Sequence, residues 1–338
     1  MKKIRATVLD VANAAGVSVA TVSRAFNKPE AVKEDVRNKV IEIARSLGYS
    51  PNPAAKALRL NKTNILAAVI PTLDYAIYAQ MINSFQQVIN DSGYTVLLLT
   101  VGFDNNNIYE RVKSVVERGA EGVLIVGKIY DQKLRDFLKE KNIPVVCTYS
   151  YEEDPDFAFI GYDNYAITCN IVNYLSDLGH KRIAMVAGPS KGNDRQQARI
   201  RAYKETMESH GLADHLLIFE STGGFAVNFG AEVLHKVTSE YPETTALICN
   251  SDIFAFGVLS EAKNMGIPVP ERLTVIGHDD MEIARLIQPP LTTVSMPVNE
   301  MGKQAAQSLL GALADGNPVF GLKLDSKLVV RESSGKPQ

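Results

Sequence analysis

What the sequence lacks narrows it first. No apolar run approaches the about 18–20 residues that cross a bilayer; the best are short stretches such as Ile65–Ile70 and Val96–Leu99. The start, Met1-Lys2-Lys3-Ile4-Arg5, is basic, but no apolar core with a cleavage site follows it, so no signal peptide is expected. Only three cysteines occur, Cys147, Cys169 and Cys249, each alone in an apolar stretch and none in CxxC spacing. A disulfide framework is excluded, and the thiols read as buried and free in a reducing, cytoplasmic compartment. The five histidines are scattered, which leaves no metal-ligand cluster, and no metal or other cofactor is expected. Pro71-Thr72-Leu73 stands after the first strand, where a phosphate-cradling loop would need glycines.

What is present is ordinary in bulk and uneven in distribution. With 338 residues, 46% hydrophobic and 22% charged, the chain suits two or three folded units. Residues 1–60 hold 11 Lys/Arg against 5 Asp/Glu, a net +6, whereas the remainder carries 25 against 33, a net −8. A basic N-terminal module on an acidic body fits a binder of phosphate backbones with a separate regulatory domain.

Thr7-Val8-Leu9-Asp10 has the spacing of a capping box. It opens a helix running to about Ala15, where Gly16 supplies a turn. Ser18 then caps a second helix, Val19–Phe26, with Val22, Ala25 and Phe26 inward, and Asn27-Lys28-Pro29 stops it. A third helix, roughly Lys33–Leu47, aligns Val36, Val40, Ile43 and Leu47 on one stripe and ends at Gly48. The first two helices make a helix-turn-helix, although a plain helical bundle fits the same periodicities. Asn52 and Pro53 then open a short helix, Ala54–Leu60, too short to hold without a partner.

The run VLDVANAAGVSVATVSRAFNKPEAVKEDVRNKVIEIARSLGYSPNPAAKALRLNKT resembles, over its whole length, the N-terminus of the LacI/GalR family of transcription regulators. The resemblance implies a helix-turn-helix domain over 1–50, a hinge helix and linker over 51–63, and an effector-binding and dimerisation domain over 64–338. It implies a homodimer on operator DNA, with no membrane partner. Val19, Ala20 and Arg24 would read base edges, and Ser18, Thr21 and Ser23 would meet phosphates. Thr7, Asn27, Asn52 and Lys56 join this DNA-contacting set. Leu58 matches the hinge leucine that wedges into the minor groove, with Arg59 beside it. Lys33 departs from the family, which often places a Ser or Thr cap there. The chemistry agrees: Arg24 can pair with guanine O6 and N7, while Val19 and Ala20 suit a thymine methyl, and a leucine inserted at a base step kinks the duplex.

From Ile65 onward, strand and helix alternate. Continuous apolar runs at Ile65–Ile70, Thr95–Leu99, Gly122–Val126, Pro144–Cys147, Ile183–Ala187, Leu216–Phe219, Ala246–Cys249 and Thr274–Ile276 indicate parallel sheets covered on both faces. The length predicts two doubly wound α/β lobes beside the all-α headpiece. GYDN at 161–164, LGHKRIAMVAG at 178–188, NSD at 250–252 and VIGHDDMEIARLIQPPLTTV at 275–294 resemble the family's sensor, which is similar to periplasmic sugar-binding proteins. By that resemblance one lobe takes about 64–161 and 292–321, and the other about 162–291 and 322–338. A small effector (a sugar, sugar acid or nucleobase-like molecule) would lie between them at the strands' carboxyl ends. Arg199 and Asp252 are expected to orient it, with Ile77, Tyr78, Tyr149 and Phe225 as walls, core packing being an equal reading for each aromatic. Asp163 is read as a cap of the helix after it, with the cleft as the alternative. His278, where the family usually has an aromatic, is read as a pocket residue or a buried one. Tyr75-Ala76 replaces the family's Asn-Pro.

Two other functions are compatible with parts of the sequence. Gly188-Pro189-Ser190-Lys191-Gly192 matches the G-x-S-x-G of hydrolases, but Pro189 and the intervening Gly192-Asn193-Asp194 keep Ser190 from opening a helix at once. No enzyme activity is expected. A solute-binding protein of a transporter would fit the two lobes but not the basic module.

Overall fold

The computed structural model describes residues 6–51, 62–104 and 106–338, in two units, Met1–Thr63 and Asn64–Gln338. The expected hinge helix, with Asn52, Lys56, Leu58 and Arg59, lies outside the described residues.

Local signals build the first unit. The Thr7 hydroxyl accepts from the Asp10 amide at 3.3 Å while Asp10 accepts from the Thr7 amide at 2.8 Å, the reciprocal cap that opens α1 (Val8–Ala15). Gly16 ends it at φ +67°, a conformation that costs glycine nothing. Ser18 Oγ accepts from the Thr21 amide at 3.1 Å and opens α2 (Val19–Asn27). With α3 (Glu34–Ser46), these helices bury Val11, Ala12, Ala15, Val22, Ala25, Val40 and Ala44 in one core. Leu47 differs from expectation. It caps α3 instead of lying on its stripe, and is 42% exposed.

Lys33 is the N-cap of α3 and makes no side-chain cap hydrogen bond. Lys33→Ser would supply the missing acceptor and should stabilise the headpiece by about 0.5–1 kcal/mol. Thermal unfolding of the full chain checks this. An unchanged headpiece transition would mean that Glu34 and Asp35 in the first turn already satisfy the helix end.

In the second unit, β1 (Ile65–Ile70), β2 (Thr95–Thr100), β3 (Ala120–Val126), β4 (Val145–Thr148), β5 (Ala158–Gly161) and β11 (Leu322–Lys323) form one parallel sheet. Its order is β11–β5–β4–β3–β1–β2, and α4 (Ala76–Asp91), α5 (Ile108–Glu117) and α6 (Gln132–Glu140) connect its strands. The second sheet, also parallel, comprises β6 (Ile183–Ala187), β7 (Leu217–Glu220), β8 (Ala246–Cys249) and β9 (Thr274–Ile276), in the order β7–β6–β8–β9. With it go α7 (Asn164–Leu178), α8 (Asp194–Ser209), α9 (Val227–Glu240) and α10 (Asp252–Asn264).

The chain crosses back along β10 (Thr293–Ser295), forms α11 (Val298–Asp315) against α4, and leaves through β12 (Lys327–Val329), which pairs antiparallel with β10. Glycine permits close helix contact: a Cβ on Gly302 would overlap the Met81 carbonyl, and one on Gly257 the Val227 carbonyl. The lobe boundary differs slightly from expectation. Leu322 and Lys323 pair with β5, so the first lobe's last segment reaches past residue 321. The strand β5, Ala158–Gly161, is not among the apolar runs read from the sequence.

Candidate functional site

On α2 the core side takes Val22 and Ala25. Helical spacing then sends Ala20, Arg24 and Asn27 to one exposed face, with Val19 beside them. Arg24 is exposed and makes no ion pair among the described residues, so its guanidinium is available to a partner. Ser18 and Thr21 are bonded to each other at 3.0 Å at the helix N-terminus, the end whose free amides and dipole favour a phosphate. Ser23 lies half-buried between these sets, and Asn27 Nδ2 donates to the Ser23 carbonyl at 2.8 Å. Thr7 is spent on its cap.

The second site lies between the lobes of the other unit, at the carboxyl ends of both sheets. Five of the expected residues, Ile77, Tyr78, Tyr149, Arg199 and Phe225, line the same small space, of about 20 Å³. That volume holds about one water. Tyr149 sits at φ +68°, an uncommon conformation for a bulky residue. It is held there by its hydroxyl on the Ile77 carbonyl (2.8 Å) and by Asn164 Nδ2 on its own carbonyl (2.8 Å).

Every nitrogen of Arg199 donates a hydrogen bond. Nε donates to Asn164 Oδ1 (2.9 Å), Nη1 to the Asn250 carbonyl (2.9 Å) and Nη2 to the Tyr162 hydroxyl (2.7 Å). His278 stands behind that hydroxyl, with Nε2 at 3.1 Å. Burial and the Arg199 charge push its pKa well below the usual histidine value, so the ring is neutral and shares a hydrogen bond with the Tyr162 hydroxyl through Nε2. His278 thus orients Tyr162 and is not among the lining residues.

Asp252 is a correction to the sequence reading. It does not line the cleft: Oδ1 accepts from Thr293 Oγ1 at 2.5 Å and Oδ2 from the Met281 amide at 2.8 Å. It fastens the 279–281 turn and the crossing strand β10. The lining carboxylate is Asp279, which accepts from the Tyr75 hydroxyl at 2.6 Å and from Ser251 Oγ at 3.1 Å. Arg195, Gln196 and Asn250 also line the space. Arg195 Nη1 is paired with Asp194 at 2.8 Å, and its Nε and Nη2 make no hydrogen bond among the described residues. Gln196 Oε1 accepts from the Gly188 amide and from Asn250 Nδ2, which leaves Gln196 Nε2 and Asn250 Oδ1 without a hydrogen bond among the described residues. Arg195, Gln196 and Arg199 share the buried side of α8 with Ala202, Tyr203, Thr206 and Met207, and the four-residue spacing of Arg195 from Arg199 is the sequence signal that could have found it.

Burial, and then the nearby Asp252 charge, push the Asp279 carboxyl up to about 8, while burial raises Asp252 to about 6. The folded protein therefore keeps protons that the unfolded chain has released, and stability falls as pH rises from the ordinary carboxylate range towards about 8. Buried His180 and His278, both depressed, slope the other way but only below the usual histidine value. Asp279→Asn removes the first effect. The stability advantage of the parent over this variant should shrink between about pH 7 and 8, in thermal unfolding of both proteins. A constant difference would place the proton elsewhere.

The G-x-S-x-G stretch forms a loop and not a strand-to-helix elbow: α8 opens only at Asp194, and the Ser190 hydroxyl donates to Glu220 at 2.8 Å. Among the described residues, no group of three His, Cys, Asp or Glu is placed to hold a metal, and no helix is long and apolar enough to cross a membrane.

Two family models match parts of the chain. The family model for bacterial regulatory proteins of the lacI family matches residues 7–52, and that for the periplasmic binding protein-like domain matches 172–334. The HTH-type transcriptional repressor PurR of Vibrio vulnificus is 30% identical over 98% of this chain and 99% of its own. The HTH-type transcriptional repressor CytR of Escherichia coli is 29% identical over 97% and 96%. Among solved structures, a LacI-family transcriptional regulator from Silicibacter pomeroyi superposes with a TM-score of 0.89 at 24% identity, covering 97% of this chain and 99% of that one. A complex of the transcriptional regulator CelR with cellobiose gives 0.68 at 26% identity, covering 97% and 100%.

Proposed function

Because the chain belongs to the lacI family of bacterial regulatory proteins, with a DNA-binding helix-turn-helix and an effector-binding domain, we propose that it is a cytoplasmic, dimeric repressor whose hold on a pseudo-palindromic operator is switched by a sugar or related metabolite in the inter-lobe cleft. The observation that carries this reading is the cleft lining. Arginine donors at 195, a carboxylate at 279, amide groups at 196 and 250, and the aromatic face of Phe225 converge there. Such a set matches a polyhydroxylated ring, which offers both donors and acceptors along its edge and a flat apolar face. The likeness to a cellobiose-bound regulator supports the sugar class. Selection of binding sites from random DNA with the full chain tests the DNA half. An inverted repeat should emerge, and a sugar, sugar acid or nucleobase that shifts the melting temperature should change affinity for it. A non-repeated motif, or ligands that bind without altering DNA affinity, would overturn the reading.

A further inference from the structure

Tyr75, just before α4, belongs to the first lobe, yet its side chain is built into the second. Its ring stacks on Phe225 with centroids 4.9 Å apart and planes 26° from parallel. Its hydroxyl donates to Asp279 at 2.6 Å and also meets Ser251 Oγ. Phe225 continues the stack onto Phe254 at 5.3 Å, and Gly188 leaves room for it, since a Cβ there would overlap the Phe225 ring. The phenol is thus bound as a small ligand would be, one face on an aromatic ring and its polar tip on a carboxylate and a hydroxyl. With it in place, only about 20 Å³ remains between the lobes, far below the several hundred Å³ of a typical ligand site.

We propose that Tyr75 is a built-in occupant of the effector's place, so that an effector binds by displacing its phenol from Phe225, Asp279 and Ser251. The proposal rests on the cleft being the effector site, and it narrows the ligand. The effector carries a ring with a flat face for Phe225 and a hydroxyl or N–H donor for Asp279. Its apparent affinity is set against the internal phenol, which makes Tyr75 a determinant of specificity: a ligand lacking either feature cannot replace what it removes.

The test uses 4-methylphenol, the free counterpart of the tyrosine side chain, with toluene as the control lacking the hydroxyl. Full-length parent, Tyr75→Ala and Tyr75→Phe are titrated with each by calorimetry and thermal shift. Tyr75→Ala should bind 4-methylphenol at least about tenfold more tightly than the parent does, and in preference to toluene. Tyr75→Phe should bind 4-methylphenol with an affinity between those of the parent and Tyr75→Ala, because its ring keeps the stack on Phe225 but loses the bonds to Asp279 and Ser251. Tyr75→Leu gives the same comparison should the alanine variant not fold. Equal 4-methylphenol binding by parent and Tyr75→Ala would overturn the proposal, as would equal binding of toluene and 4-methylphenol by Tyr75→Ala. No DNA or natural effector enters this experiment, so its failure would leave the regulator reading standing.

Discussion

Arg24→Ala is expected to lower operator affinity by about 1–3 kcal/mol in each half-site, and to relax base choice at one position of each. Over two half-sites that amounts to about 2–6 kcal/mol, roughly thirtyfold to beyond ten-thousandfold. The reason is geometric. Val22 and Ala25 anchor α2 in the headpiece core, so Arg24 projects from the opposite face, exposed and without an ion pair among the described residues. Its neighbours there, Val19 and Ala20, offer only apolar contact. Site selection with parent and variant decides the matter: an unchanged base profile would mean that Arg24 meets phosphate alone, in which case affinity should fall uniformly and the salt dependence should flatten by about one unit.

The second large effect belongs to Arg199. Arg199→Ala should weaken binding of the effector recovered from the ligand screen by more than about a hundredfold, and cost about 2–4 kcal/mol of stability. Both follow from one observation: the guanidinium satisfies Asn164, Tyr162 and the Asn250 carbonyl together, joining α7, the lobe junction and the end of β8. Arg199→Lys should recover little, because an ammonium cannot reproduce a three-way fork. Arg195→Ala offers the contrast. Its Nε and Nη2 serve no partner among the described residues, so its loss should appear in effector binding more than in unfolding. Calorimetry and denaturant unfolding separate the two quantities. Effector binding by Arg199→Ala as tight as the parent's would mean the cleft has been misassigned.

The headpiece was legible residue by residue because its information is local. Caps at Thr7 and Ser18, the turn at Gly16 and the apolar stripes each act within one helical turn of their own position. The same held for the alternating strands and helices of the larger unit, whose apolar runs announce buried parallel strands wherever they fall. Arg199, Tyr149 and Phe225 were reached through family resemblance, and the structure does place them together.

Asp252 and Asp279 show where such reading stops. Both are acidic residues just beyond a strand, and nothing within a few positions tells them apart. What separates them is the crossing strand β10, which brings Thr293 to Asp252, and the far side of the cleft, which brings Tyr75 to Asp279 across 204 residues of sequence. Tyr75 itself was visible only as a departure from the family's Asn-Pro. The local pattern of the chain therefore settled its elements, its two kinds of domain and the exposed face of α2. Which carboxylate faces the cleft, which arginine keeps unused donors and what fills the space between the lobes were decided by tertiary packing, because each depends on groups far apart in the sequence meeting, and no short-range periodicity encodes that meeting.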